Sequence, residues 1–318
     1  MNILVVRNDR FGEFLLNIPA LRALKQTFPK AKLIAAIDPY TRDLAESIPF
    51  IDGVIEWRGN KHTLSEKLKL IGTLKKIKFD MAIMLNPSKE FNIITYLAGV
   101  PTRVGYDRKW GFLLNRKIKD DKSLGLRHEV DCNLNLVKLI GAQTEDKTLM
   151  LKLNGNINGI FEKLGINAAE DFITLHPWTS DSVKQWPIEN FIYLAERLAV
   201  NLNKKVIVVG GKEVTEKVLK YFSKLHNDII NITGKTSLTE LAAVLSKSRL
   251  LISGDSGPVH LASAVGVPVL AIFRNDLPGK NAKRWGPWGE GHSVIEKSRL
   301  SDITVEEVFV KATEMLKV

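Results

Sequence analysis

Residues 249–273 read RLLISGDSGPVHLASAVGVPVLAIF, and this stretch decides the fold class. Arg249 to Ser253 is an apolar run that reads as a buried strand. Leu261 to Val265 reads as a short helix, and Pro268 to Phe273 as a second buried strand. Strand, glycine turn, helix and strand make a βαβ unit, which requires a parallel sheet. Asp255, Ser256 and Gly257 fall where the first strand gives way to the helix. A helix amino end carries unpaired N–H groups and partial positive charge, so it can hold a phosphate. Gly257 has no Cβ to keep a ligand away from the backbone. The same turn also fits a plain capped helix, with Asp255 or Ser256 as N-cap.

Working outward, strand-like and helix-like segments alternate along the whole chain. Asn2–Val6 is an apolar run, followed by helical spacing of Phe14, Leu15, Ile18, Leu21, Leu24 and Phe28 over Glu13–Phe28. Strands are expected at Leu33–Ile37, Val54–Trp57 and Asp80–Leu85, and helices at Leu64–Ile77, Glu90–Ala98 and Glu129–Ile140. The pattern restarts with a strand at Phe172–His176 and a helix at Ile188–Asn201. A strand at Val206–Val209 follows, then a helix at Glu213–Leu225, a strand at Ile229–Thr233 and helices at Leu238–Ser246 and Val305–Leu316. Such alternation predicts α/β architecture with helices on both faces of parallel sheets. The Gly/Asn-rich stretch from Asn154 to Gly159 marks a boundary, giving domains 1–155 and 156–318.

In doubly wound sheets, ligands bind beyond the carboxyl ends of the strands. The loop Arg7 to Glu13 follows the first strand and holds Arg7, Asp9, Arg10, Gly12 and Glu13. Glu13 fits two roles, a first-turn carboxylate that favours the helix dipole and a general base, with Asp9 as the alternative base. Lys184 follows the strand ending at His176, beside Thr179 and two serines, and suits a diphosphate as a point charge. Gly210 and Gly211 end another strand, in a turn that suits either tight βα packing or a nucleotide lying on backbone. Glu213, just beyond, could accept from a ribose hydroxyl. Trp186 reads as packing rather than a stacking platform. Arg7, Arg10, Arg58, Lys61, Arg103, Arg108, Lys109, Arg116 and Lys117 crowd the first domain, with Trp110 and Phe112 among them. Most of these residues read as a solvated face, some could meet an anionic glycolipid acceptor, and the aperiodic segment fits a mobile acceptor loop.

Composition bounds the chain without choosing a function. Its 318 residues suffice for two domains, and 45% hydrophobic with 25% charged residues is ordinary for a globular protein. Cys132 is the single cysteine, so no intramolecular disulfide and no cysteine-rich metal site can form. The formal net charge of +11 attracts anionic partners such as nucleic acid, phosphorylated glycolipid or a membrane surface. No nucleic-acid-binding motif occurs, and none is expected as partner. The apolar start is too short for a signal segment, and no stretch reaches the roughly 20 apolar residues of a membrane span. A cytoplasmic location is expected, with peripheral contact at the inner membrane face left open. No Asp-x-Asp pair and no His/Cys cluster appears, so neither metal nor cofactor is expected.

The segment Gly-Asp-Ser-Gly-Pro-x-His-Leu-Ala, with Gly266-Val-Pro268-Val after it, resembles the donor-binding signature of the ADP-heptose:lipopolysaccharide heptosyltransferase family, glycosyltransferase family 9. Further stretches resemble the same family in the same order. They are Arg7 to Glu13 through Pro19-Ala-Leu, Arg103-Val-Gly-Tyr106, His128-Glu-Val-Asp, His176-Pro177 with Lys184-Gln-Trp-Pro187, and Lys283-Arg-Trp-Gly-Pro287. The resemblance covers nearly the whole chain.

It implies a GT-B fold, two Rossmann-like domains facing each other across a cleft, with the last helix returning to the first domain. It also implies a metal-independent inverting glycosyltransferase moving heptose from ADP-heptose to a lipopolysaccharide core or related glycan. Under that reading Thr179, Lys184, Gly210, Gly211, Glu213, Asp255, Ser256, Gly257 and His260 serve the donor. Arg7, Arg10, Gly12 and Lys109 serve the acceptor, and Glu13 stands where the family usually has an aspartate base. A transferase for another nucleotide-sugar, on a surface polysaccharide or glycoprotein, and a non-catalytic nucleotide-sugar-binding protein are the alternatives.

Overall fold

The computed structural model describes residues 1–59, 62–153, 155–213, 222 and 226–317. The chain divides into two compact units, 1–152 and 153–318. In the first unit the order is β1 (Asn2–Val6), α1 (Phe11–Leu15), α2 (Ile18–Thr27), β2 (Lys32–Ile37), α3 (Arg42–Glu46), β3 (Gly53–Glu56), α4 (Leu64–Ile77), β4 (Met81–Met84), α5 (Lys89–Leu97), β5 (Thr102–Tyr106), β6 (Arg116–Ile118) and α6 (Glu129–Val137). The strands form one parallel sheet in the order β3-β2-β1-β4-β5-β6. β1 lies between β2 and β4, with Val5 opposite Ala35 on one side and Ile83 on the other. It is paired on both edges and covered on both faces, so Ile3, Leu4, Val5 and Val6 form a continuous apolar run.

The helix expected over Glu13–Phe28 is broken in two. Pro19 lies in the first turn of α2, where its missing N–H and its ring are tolerated; inside a longer helix it would clash with the carbonyl of Leu15. Asn17 takes the break, its amide donating to the carbonyls of Glu13 and Phe14 at 3.1 and 2.9 Å. α4 begins with a capping box, the Glu66 carboxylate accepting from the Thr63 N–H at 2.7 Å while the Thr63 hydroxyl accepts from the Glu66 N–H.

The second unit repeats the plan with α7 (Ile157–Leu164), β7 (Phe172–His176), α8 (Ile188–Leu202), β8 (Lys205–Val208), β9 (Ile229–Asn231), α9 (Leu238–Leu245), β10 (Leu251–Gly254), α10 (Gly257–Ala264), β11 (Val269–Arg274), α11 (Ala282–Trp285), β12 (Ser293–Lys297) and α12 (Val305–Leu316). Its sheet, again wholly parallel, runs β12-β11-β10-β7-β8-β9. Nearly all of the expected helix 213–225 lies outside the described residues, as do Asn154 and Lys61. α10 starts at Gly257, four residues before the helix read from the sequence.

The buried face of the last helix, α12, belongs to the core of its own unit. Val308 and Ala312 of α12 join the core of the second unit with Leu194, Leu198 and Ile272, and Arg197 of α8 pairs with Glu306 at 2.5 Å. Trp186 is wholly buried in that core, edge-on to Phe191, its indole N–H donating to the Ile303 carbonyl at 3.0 Å. Removing so large a buried ring would cost about 3–5 kcal/mol, so Trp186 is a packing residue. Among the described residues no helix is long and apolar enough to cross a membrane.

Candidate functional site

Each unit has the strand order 3-2-1-4-5-6, so each has one place where neighbouring strands send their chains in opposite directions. That place is β1/β4 in the first unit and β7/β10 in the second. A crevice opens at the carboxyl ends of strands at such a switch point. The loops after β1, β7 and β10 that the sequence singled out emerge at these points.

In the second unit, β7 leads to Thr179 and to a 3-10 turn at Ser182–Lys184, and β10 leads to Asp255–Gly257. Lys184 forms an ion pair with Asp255, both side chains nearly buried. A Cβ on Gly254 would stand 3.3 Å from the Thr179 methyl and 3.6 Å from the Lys184 carbonyl, so these groups are in one place. Gln185, which the sequence reading passed over, ties the loop down. Its amide donates to the carbonyls of Pro177 and Trp186 at 2.6 and 2.7 Å, and its carbonyl accepts from the Thr179 N–H at 3.1 Å. Arg274, at the end of β11, donates to the Val183 carbonyl at 3.3 Å and supports the same turn.

Ser256 occupies the N-cap position of α10 and yet does not cap it. Its hydroxyl lies 3.0 Å from Nδ1 of His176 and 2.8 Å from the hydroxyl of Ser253, which itself lies 3.2 Å from the same nitrogen. Burial holds the pKa of His176 down at about 3, so the ring is neutral at ordinary pH. The plain capped helix of the sequence reading is therefore corrected: the side chain that would satisfy the first N–H groups of α10 is drawn sideways. His176 and Ser253 were not among the expected site residues. His176 did fall in a stretch that resembles the family's, and the polar residues of otherwise apolar β7 and β10 are the further signal that marks both.

Gly210 and Gly211 follow β8. A Cβ on Gly210 would run into the indole of Trp178, and one on Gly211 into the Glu213 carboxylate. Gly210 is thus required by the packing of Trp178, whose buried N–H has no hydrogen-bond partner among the described residues, like the hydroxyl of Thr233 on the other side of Gly210. Glu213 is exposed, and His260 is buried in the second turn of α10.

In the first unit Arg7 follows β1 and turns inward. It is 3% exposed, donating to Asp9 at 2.8 Å, to Glu129 at 3.0 Å and to the Leu85 carbonyl at the end of β4 at 3.4 Å. Burial opposes its charge, but Asp9 and Glu129 outweigh that and raise its pKa. Lys122 reaches the same wholly buried Glu129 at 3.2 Å. Arg7 thus shapes the loop from within instead of being presented to an acceptor. Gly12, expected to admit a ligand, is buried inside α1. Arg10 is exposed, and Lys109 lies on a different connection, between β5 and β6.

Glu13 accepts from the Arg10 backbone N–H at 3.1 Å, so it does cap its helix. Its environment is nonetheless that of a tuned acid. Burial and the neighbouring Asp9 carboxylate push its pKa up to about 7, against the opposing pull of Arg7 and Arg10. Asn86, after β4, donates to Asp9 at 3.2 Å and braces that carboxylate. A carboxyl that titrates near neutrality beside fixed cations can take and return a proton.

The profile of glycosyltransferase family 9 (heptosyltransferase) matches residues 67–308, well over half of the chain. The chain belongs to glycosyltransferase family 9. The matched range contains the second-unit loops described above; the β1 loop lies before it. Among relatives, the lipopolysaccharide core heptosyltransferase OpsX of Haemophilus influenzae is 24% identical over 294 residues, 88% of this chain and 81% of that protein. Among solved structures, the family 9 glycosyl transferase of Veillonella parvula DSM 2008 is similar with a TM-score of 0.85 at 23% identity, over 99% of this chain and 96% of that one. The ADP-heptose LPS heptosyltransferase II of E. coli gives a TM-score of 0.85 at 20% identity, covering 100% and 99%. These likenesses agree with the two doubly wound units of the GT-B expectation. Among the described residues, no group of three or more His, Cys, Asp or Glu is placed to hold a metal ion.

Proposed function

We propose that this family 9 glycosyltransferase moves a heptose from ADP-heptose to a lipopolysaccharide core or a related glycan, in one metal-independent displacement. The observation that carries the reading is the amino end of α10. Ser256 is drawn away from it by His176, which leaves backbone N–H groups and the positive end of the helix dipole for an anion, with Lys184 beside them. A donor diphosphate is the anion this arrangement suits.

In the proposed reaction the acceptor hydroxyl gives its proton to Glu13 while its oxygen bonds to the anomeric carbon. The bond from that carbon to the diphosphate oxygen breaks, and ADP leaves with one more negative charge. A single displacement of this kind inverts the anomeric centre. Lys184 and the α10 amino end stabilise the growing charge on the leaving group. Thr179, Gly211 and Glu213 are proposed to border the donor, and Arg10 the acceptor.

The test is a transfer assay on a heptose-deficient lipopolysaccharide acceptor with a panel of ADP-heptose, ADP-glucose and GDP-, UDP- and CMP-sugars. Transfer from ADP-heptose, with inverted product, is expected. Turnover of a different nucleotide-sugar in preference would replace the donor assignment.

A further inference from the structure

The proposed transfer leaves the segment His128 to Asp131, at the start of α6, without a role. Its Glu129 is nonetheless a wholly buried carboxylate. A charge kept from water needs firm partners, and Glu129 has two cations. It accepts from the Arg7 guanidinium at 3.0 Å and from the Lys122 ammonium at 3.2 Å, and both cations are themselves buried. Both also donate to the Leu85 carbonyl at the end of β4, at 3.4 and 3.5 Å. Lys122 lies 4.2 Å from the centre of the Tyr106 ring of β5. Apolar residues of similar volume often serve stability as well as a buried ion triad does, so packing alone does not account for these three.

What the triad fixes is the loop before α1. With one guanidinium nitrogen on Glu129, Arg7 gives another to Asp9 at 2.8 Å. A planar guanidinium held on one side is aimed on the other. Four residues after Glu129, and so on the same face of α6, the wholly buried Asn133 donates to the Leu16 carbonyl at 3.2 Å, where α1 ends. α6 therefore holds this segment at Arg7 and again at Leu16, and Asp9 and Glu13 lie between the two holds.

We propose that Glu129 is a positioning residue for Glu13, holding Arg7 so that the guanidinium sets Asp9 beside the Glu13 carboxyl. The inference deepens the reading of Glu13 as base and rests on it. The charged groups that face Glu13 are Arg7, Asp9 and Arg10 of its own loop and Glu129 of α6. Those that face Glu129 besides Arg7 are Lys122 and, from β5, Tyr106. Asp9 and Glu129 push the pKa of Glu13 up, and Arg7 and Arg10 pull it down. Removing the Glu129 charge takes away one push and leaves Arg7 less neutralised. Removing its hold on Arg7 frees Asp9 to leave Glu13. Each change lowers the Glu13 pKa from about 7.

The experiment is a carbon-13 NMR pH titration of the Glu13 carboxyl in the full chain, its signal assigned by its absence from Glu13→Gln. It needs neither donor nor acceptor. Glu129→Gln keeps the shape and loses the charge. Glu129→Leu with Lys122→Met removes the hold and one charge of each sign, leaving Arg7 paired with Asp9, and guards against misfolding of the first variant. In both, the Glu13 midpoint should fall by about 1 pH unit or more. The acid limb of kcat/KM should move with it, and kcat should drop about 10- to 100-fold from misplacement of the base, with KM for the nucleotide-sugar within about twofold. A midpoint unmoved in Glu129→Gln, or one at its native place in a stable double variant, would make Glu129 a structural partner only and overturn the inference while leaving Glu13 as base. Near-native turnover of Glu13→Gln would overturn the base reading itself, an outcome separate from either titration result.

Discussion

The hydroxyl of Ser256 lies 3.0 Å from Nδ1 of His176, on a different strand end, and so leaves uncapped the helix that Ser256 begins. An N-cap serine is ordinarily worth about 1 kcal/mol to its helix. Here that contribution is forgone at the place where an anion is proposed to bind. The neutral state of His176 is part of the arrangement, because a buried imidazolium would donate from both nitrogens and break the pattern.

His176 therefore makes the fold acid-sensitive. Its pKa is depressed to about 3 in the folded chain, against an ordinary 6.5 once unfolded. The folded state then binds the proton less well, so stability is full above pH 6.5 and is lost progressively as pH falls towards 3. His176→Asn keeps an acceptor near the Nδ1 position but does not titrate. It should be less stable at pH 7, by about 1–3 kcal/mol for the smaller side chain, and should show a shallower loss between pH 6.5 and 4. Denaturant melts at a series of pH values measure this; an unchanged slope would mean the ring is not held neutral.

Lys184 should matter twice. Lys184→Ala removes the partner of the nearly buried Asp255 and should cost about 1–3 kcal/mol of stability. It should also weaken ADP binding by about 30- to 150-fold, from about 2–3 kcal/mol for one charge-assisted contact. Adding Asp255→Asn separates the effects. The double variant should recover part of the melting temperature, since the buried negative charge is removed along with its Lys184 counter-charge, while its nucleotide affinity stays weak. Recovery of affinity along with stability, in melts and calorimetric titrations of the same samples, would reduce Lys184 to a structural partner of Asp255.

How far these features could be read from sequence depends on what fixes them. The parallel sheets follow from apolar runs such as Ile3–Val6 and from the βαβ unit at 249–273, because strands buried on both faces need such runs. The places of Lys184 and Asp255 follow once β7 and β10 are assigned. Strands β5 and β6 escaped because they are short, carry Arg103, Gly105, Arg116 and Lys117, and lie towards the sheet edge, where no apolar run is required. The break between α1 and α2 was legible in Pro19, but the helical spacing masked it. Partner choice was not legible at all. Nothing local to Arg7 says that it meets Glu129, 122 residues away, rather than a ligand.

The proposed metal independence gives a simple expectation. Since the described residues hold no ligand cluster, and a lysine with a helix amino end supplies the positive charge, transfer should be the same within about twofold in excess chelator. A large loss restored by magnesium or manganese would show that the donor diphosphate needs a cation that this reading omits.

The last expectation concerns Glu13, whose carboxyl titrates at about 7 because it is buried and sits beside Asp9. A base must be deprotonated, so kcat/KM should rise with pH through about 7 and level off above it. Glu13→Gln should lower turnover by about 10² to 10⁴ and abolish that rise, while nucleotide still binds. The same variant has a signature in stability. A carboxyl with a raised folded pKa favours the folded state when protonated, so the native chain loses that contribution as pH climbs from about 4.5 through 7. Glutamine does not ionise and keeps an acceptor for the Arg10 N–H, so the variant should gain stability over the native chain at pH 8 but not at pH 4. Glu13→Asp probes reach. Its carboxylate would draw back by about 1.5 Å, one carbon–carbon bond, away from the Arg10 N–H that Glu13 holds at 3.1 Å. If the pocket is set for glutamate, rate should drop while donor affinity holds. Near-native turnover of Glu13→Gln would leave Glu13 as a capping acid and make Asp9, braced by Arg7 and Asn86, the next base to test.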